Sequence, residues 1–240
     1  NENYTDQFKQ GARYLSSNLN THVSKKENIL PTGDCSSVLN GVGEYAEEDR
    51  NRALIYNLLS RVLAAPVADD TLEVLRSFSM ETDGSGIGDA FQSIGIQARK
   101  TPRNSGEEEF SSLFYGMGSG GEMQPYMSFY LTGFVYEKPL AALRDDLRKL
   151  GVSSAGLTKE PEDHIAFICE VMGGLILNSK GEVESLEQQK VFFNSHLATW
   201  ATQFFVDLET AKSSVLYRPI GALGRVFMDI ESEAFGMIGN

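Results

Sequence analysis

The segment Glu160-Pro161-Glu162-Asp163-His164 packs three carboxylates and an imidazole into five residues, more chemical function than any other stretch of this length in the chain. Carboxylates at that density suit guanidinium groups, which they bind through charge-assisted hydrogen bonds. A histidine beside them raises acid–base catalysis or metal ligation as further uses. The blander reading is a helix entrance: proline is tolerated in a first turn, and carboxylates there favour the positive end of the helix dipole. His164 reads best as a helix-start histidine bonded to a nearby carboxylate. The three histidines, His22, His164 and His196, show no zinc-ligand spacing, so no metal ligand and no catalytic residue is assigned.

A second cluster lies upstream. Phe110, Leu113 and Phe114 occupy positions i, i+3 and i+4 of one helical stripe, Gly116-Met117-Gly118-Ser119-Gly120-Gly121 follows, and Pro125-Tyr126-Met127-Ser128-Phe129-Tyr130 is rich in aromatics. The glycine run lacks the Gly-Lys-Ser/Thr ending of a phosphate loop and no clear strand precedes it. A loop leading into an aromatic, peptide-binding surface fits better, with core packing the competing role for Phe110 and Phe114. Glu107-Glu108-Glu109 reads as a solvated helix start that also steers basic peptides. His196 and Trp200 sit on a wide apolar face and read as structural.

These residues need helices to position them. Leu54, Ile55, Leu58, Leu59, Val62 and Leu63 define a helix from Glu47 that Pro66 ends. Asp69 or Asp70 caps the next helix, with Glu73 as capping-box partner and Leu72, Leu75 and Phe78 inward. A Gly/Ser turn at 84–88 precedes a helix over Asp89 to Arg99, broken at Thr101-Pro102. Ser105 and Glu108 make another S-x-x-E start, whereas residues 126–136 read as extended or irregular. Pro139 opens a helix faced by Leu140, Leu143, Leu147 and Leu150 and stopped by Gly151; residues 151–159 form a linker. From His164, Ile165, Ile168, Met172, Leu175 and Ile176 share one face. Glu184 to Asn194 carries Leu186, Val191 and Phe192. His196 opens a helix striped by Leu197, Trp200, Phe204 and Leu208, and Pro219 starts the last, with Leu223, Val226, Phe227 and Ile230 inward. No strand alternation is convincing, so the expected fold is an all-α, single-domain helical bundle over residues 46–240, in two halves joined by a hinge at about 151–163. Residues 1–45 are an N-terminal extension, with an amphipathic helix around Phe8 to Leu19 and a disorder-prone run around Pro31 and Gly33.

Composition narrows the function. The formal charge of −12 repels nucleic acid phosphates and favours a basic partner, and 41% hydrophobic residues suit a globular protein. Cys35 and Cys169 form no C-x-x-C pair, which suggests a reducing compartment. No run approaches the roughly 18 apolar residues of a membrane span, and Asn1-Glu2-Asn3 does not open like a signal peptide, so a cytoplasmic protein without stable membrane insertion is expected.

Taken together, Phe110-x-x-Leu113-Phe114, Pro125-Tyr126-x-Ser128-x-Tyr130, Glu160-Pro161-x-Asp163-His164 and the run from Phe192 through His196-Leu197-x-x-Trp200 to Asp207-Leu208 resemble the TorD/DmsD family of chaperones for molybdenum-containing oxidoreductases, over roughly residues 46–235. The resemblance implies an all-helical bundle. It implies a chaperone, not an enzyme, that binds the twin-arginine signal peptide and apo-form of a molybdoenzyme and delays export until the molybdopterin cofactor is inserted. The implied signal-peptide residues are Phe110, Leu113, Phe114, Pro125, Tyr126, Ser128, Tyr130, Glu160, Pro161, Asp163 and His164. Several relatives carry tryptophan where this chain has Phe110, Tyr126 and Tyr130, which keeps an aromatic face but leaves the leader's identity open. In the expected mechanism Asp163 and a neighbouring Glu meet the arginines, while Phe110, Phe114, Tyr126 and Tyr130 receive the apolar segment. No cofactor is expected. The rival readings are weak GTP binding by a maturation factor and an assembly scaffold that ignores the signal peptide. The oligomeric state is a monomer or a helix-swapped homodimer.

Overall fold

Apolar residues at helical spacing dominate the chain, and each such stripe needs another to cover it. A computed structural model describes residues 47–116, 120–152, 160–178 and 183–238. They form ten α-helices: α1 (Glu47–Ala64), α2 (Asp69–Arg76), α3 (Gly86–Lys100), α4 (Arg103–Phe110), α5 (Met127–Thr132), α6 (Lys138–Lys149), α7 (Ile165–Leu177), α8 (Val183–His196), α9 (Ala201–Thr210) and α10 (Tyr217–Met237). There is no strand among the described residues; a single isolated antiparallel bridge pairs Tyr126 with His164. The expected N-terminal helix and the linker residues 153–159 lie outside the described residues.

The most extensive helix contacts are α1 on α7 and α9 on α10, with α10 also against α3, α8 against α7, and α5 against α6. Close approach of α9 and α10 depends on Gly224, where a Cβ would stand 2.2 Å from the Phe205 ring. At the core, Tyr56 meets Phe227 edge-on at 4.7 Å and Phe193 meets Phe235 at 5.1 Å. A buried ionic cluster ties three helices together. Arg52 of α1 donates through Nε and Nη2 to both oxygens of Glu231 of α10, at 2.7 and 2.9 Å, and through Nη1 to Gln189 of α8 at 3.1 Å.

Several local expectations need correction. No Asp70–Glu73 capping box forms: Ala68 is the N-cap, Asp70 pairs with Arg61, and Glu73 pairs with Arg76. Ser105 lies inside α4, which Pro102 opens. The third helix begins three residues before Asp89 because the Ser85 side chain accepts from the Gly88 N–H at 2.9 Å. Residues 126–136 are not wholly extended; Met127–Thr132 is helical and Gly133, at φ 82°, ends it in the left-handed region. His196 closes α8 instead of opening the next helix. Apolar periodicity runs unbroken across residues 197–200, so the stripe conceals the turn. Val191, expected inward, is exposed, and Gln189, Phe192 and Phe193 face the core in its place.

Candidate functional site

Two segments far apart in sequence meet side by side. The Met127 N–H donates to the Asp163 carbonyl at 2.9 Å and the Ile165 N–H donates to the Pro125 carbonyl at 2.9 Å. Residues 125–127 and 163–165 therefore clip together as a minimal antiparallel pair. The segment 160–164 is a turn, and the helix begins only at Ile165, with His164 as its N-cap. Pro161 is thus before the helix, not in its first turn. The His164 Nδ1 accepts from the Ala166 N–H at 3.1 Å, and its ring meets that of Tyr126 edge-on at 5.3 Å. Burial lowers the His164 pKa to about 4 against a weaker raising effect of Glu160, so the ring is neutral at pH 7.

Asp163 overturns one expectation. Its side chain is 0% exposed, and Oδ2 accepts from the Ser128 N–H at 2.9 Å, satisfying a donor in the first turn of α5. That carboxylate does not lie open to an incoming arginine, and its buried Oδ1 has no hydrogen-bond partner among the described residues. Phe110, Leu113 and Phe114 are likewise interior: Phe110 packs on Phe114 at 4.8 Å, and both face Tyr217 of α10. Pro125, Ser128, Pro161 and His164 are also buried. These positions build the support beneath a surface and are not the surface itself.

What remains accessible is more compact than expected. Tyr126 is half-buried and donates its hydroxyl to exposed Glu160. Burial and that carboxylate both raise the phenol's pKa, so the proton stays on the tyrosine and Glu160 stays an acceptor. Tyr130 donates to Asp207 Oδ2 at 2.9 Å and packs on Trp200 at 5.4 Å, anchoring α5 to α9. Glu162 receives Arg144 Nε at 2.9 Å and Nη2 at 2.7 Å. Burial opposes its charge, but Arg144 and a backbone donor prevail and hold its pKa below the usual carboxylate range.

Between these anchors the chain presents an apolar ledge. Phe129, Leu131, Phe134, Val135 and Tyr136 are all exposed, Phe134 at 70% and Tyr136 at 68%. Large apolar side chains exposed in one run make this stretch a candidate binding face. Tyr136 sits at φ 63°, and it is the sole non-glycine residue with positive φ among the described residues. For a bulky side chain that backbone is costly and persists where the surroundings impose it.

In its described parts the glycine run, with the residues after it, is tied back to the preceding π-helical segment, Ser111–Tyr115. The Gly116 N–H donates to the Ser111 carbonyl at 2.7 Å, and those of Glu122 and Met123 donate to Ser112 and Leu113. Gly116, at φ 61°, is needed because a Cβ there would meet the Gly120 carbonyl oxygen at 1.8 Å. Residues 117–119 lie outside the described residues. The acidic run is not simply solvated either, since Glu109 caps α10 through the N–H groups of Val215, Leu216 and Tyr217.

Comparison with known proteins agrees with this architecture. The family model for the nitrate reductase delta subunit matches residues 69–206, more than half of the chain. The chain belongs to this family, which includes the TorD chaperones. Among TorD relatives, the chaperone protein TorD of Aliivibrio fischeri is 26% identical over 68% of this chain and 84% of its own length. That of Vibrio atlanticus is 26% identical over 77% and 94%, and that of Aliivibrio salmonicida 29% identical over 65% and 81%. The crystal structure of an Archaeoglobus fulgidus protein described as a redox enzyme maturation protein shares the TorD-type fold, with a TM-score of 0.50 over 85% of this chain and 99% of that one, at 18% identity. For a TorD-type chain, the ledge residues Leu131, Phe134 and Tyr136 are functional candidates that motif reading missed, while Phe129 lies in the aromatic stretch it had singled out. For Phe134 and Tyr136 the available signal was the short apolar run Phe134-Val135-Tyr136 after the Gly133 turn, which fits no helical stripe.

Proposed function

We propose that this chain is a maturation chaperone whose ledge, Phe129 to Tyr136, holds the apolar stretch of a molybdoenzyme's twin-arginine leader while Glu160 and Glu162 receive the arginines. Export of the client waits until its cofactor is in place, and the chaperone acts in the cytoplasm, where that cofactor is inserted. The observation that carries this reading is the exposed apolar run ending in Tyr136, which lies within electrostatic reach of Tyr126 and Arg144, the partners of Glu160 and Glu162. A twin-arginine leader has the complementary pattern, with guanidinium groups followed by a greasy segment. Each large apolar side chain buried against the ledge contributes about 1.5–3 kcal/mol before ordering costs, and each shielded charge-assisted bond roughly 1.5–3 kcal/mol.

The reading is tested by calorimetry with a synthetic peptide of two arginines followed by a leucine-rich segment. Phe134→Ser combined with Tyr136→Asn removes the ledge's two most exposed rings, and asparagine tolerates the left-handed backbone at 136. Affinity should fall at least about tenfold, roughly 1.4 kcal/mol, with the melting temperature unchanged. Undiminished binding by this double variant rules the ledge out. Fusing the same peptide to an unrelated carrier separates leader recognition from a scaffold that grips only the folded oxidoreductase.

A further inference from the structure

Glu162 already holds a guanidinium. Arg144, on α6, directs both Nε and Nη2 at one oxygen, Oε2, at 2.9 and 2.7 Å, while its side chain stays 50% exposed and that of Glu162 21% exposed. The contact spans from α6, at the far end of the ledge segment, back to the 160–164 turn. Tyr136 lies within electrostatic reach of both Arg144 and the Tyr126 hydroxyl that Glu160 holds. The Tyr136 end of the ledge is therefore near the carboxylate pair, and the chain's own arginine already occupies one of the two carboxylates.

We propose that Arg144 is a built-in occupant of the Glu162 seat, displaced when an arginine of a bound peptide takes its place, and that the seat it fills favours arginine over lysine. The inference rests on the leader-binding reading above. An ion pair this exposed is held weakly, so its displacement costs little when the incoming group restores the same bonds. A guanidinium offers a planar fork of N–H donors and can reproduce the two bonds that Arg144 gives up. An ammonium is a hydrated point charge that does not present that fork, so lysine replaces Arg144 poorly. The seat also keeps Glu162 charged and oriented before any peptide arrives.

The test titrates the full chain with the two-arginine peptide and with its two-lysine counterpart. Three variants are compared with the wild type: Arg144→Gln, Arg148→Gln, and Arg144→Gln combined with Glu162→Gln. Arg148 lies on the same helix, pairs with Asp145, and gives the same change in net charge, so it controls for general attraction of a basic peptide. Arg144→Gln should tighten the arginine peptide about three- to tenfold, the lysine peptide by less than about twofold, and the double variant should lose the gain. An equal gain in Arg148→Gln, or weaker binding by Arg144→Gln, overturns the placeholder role while wild-type binding keeps the leader reading. Absence of saturable binding by the wild type and all variants removes the leader reading and the placeholder together.

Discussion

His164 shows how a single residue ties this site to acidity. Its ring is buried, its Nδ1 caps α7, and its pKa falls from 6.5 to about 4 because burial disfavours the imidazolium. The unfolded chain therefore binds a proton that the folded chain refuses between those two values. The resulting stability is fully present above pH 6.5 and is lost as pH falls towards 4, with a slope of at most about 1.4 kcal/mol per pH unit from this group. Urea midpoints measured from pH 7 to pH 4.5 should show a shallower acid-side fall in His164→Asn than in wild type, since asparagine can still cap but cannot titrate. Asp163 carries a different expectation. Asp163→Ala orphans the Ser128 N–H, and thermal denaturation should show a loss of about 1–3 kcal/mol. Weaker peptide binding in that variant follows from a loosened α5, because the carboxylate has no exposure of its own.

At the scale of elements, this chain fastens helix ends with carboxylates borrowed from distant segments. Asp163 serves α5, and Glu109 gathers three N–H groups at the start of α10 at 2.7, 3.0 and 2.8 Å. In the turn between α9 and α10, Glu122 accepts from the N–H groups of Lys212 and Ser213 without capping either helix; burial acts to raise its pKa, but those donors outweigh it and lower the value. The Asp163 and Glu109 caps hold helices together as well as satisfying their ends. Glu109→Ala should cost roughly 2 kcal/mol and speed amide exchange at residues 215–217, whereas loss at a merely solvated carboxylate would change neither. A π-helical turn, Ser111–Tyr115, follows α4 and closes with the Gly116 N–H on the Ser111 carbonyl. It keeps Leu113 and Phe114 buried while exposing Tyr115 at 55%. A sequence stripe at i, i+3 and i+4 marks the buried pair but carries no sign of the wider turn.

Across the whole molecule, the first and last described helices are locked by one buried ion pair. Burial opposes the charge on Arg52, yet Glu231, Tyr56 and Asp49 more than offset it and raise the guanidinium's pKa. Tyr56 adds its hydroxyl to Glu231 at 3.0 Å, and the Arg52 guanidinium lies 5.2 Å from the Phe235 ring centre. Removing one partner leaves a charge stranded in the interior. Arg52→Met should therefore cost about 3–5 kcal/mol in urea unfolding, and combining it with Glu231→Leu should recover part of that loss. No helix among the described residues is long and apolar enough to cross a membrane.

Helix content and most inward faces were legible in the residues because apolar periodicity is local and survives in one dimension, whereas the pairing of residues 125–127 with 163–165 joins distant segments and appears only in the fold. Leu140, Leu143 and Leu147, or Ile165, Ile168 and Met172, had to face a core, and they do. Which polar and aromatic groups stay outside is decided by what packs over them. Asp163 looked like a receptor carboxylate until α5 was placed against it, and Phe134, in a stretch read only as extended or irregular, stands out once nothing covers it. Type and spacing set the chemistry that each residue can do, but access to solvent is a sum over distant neighbours, and only the folded chain performs it.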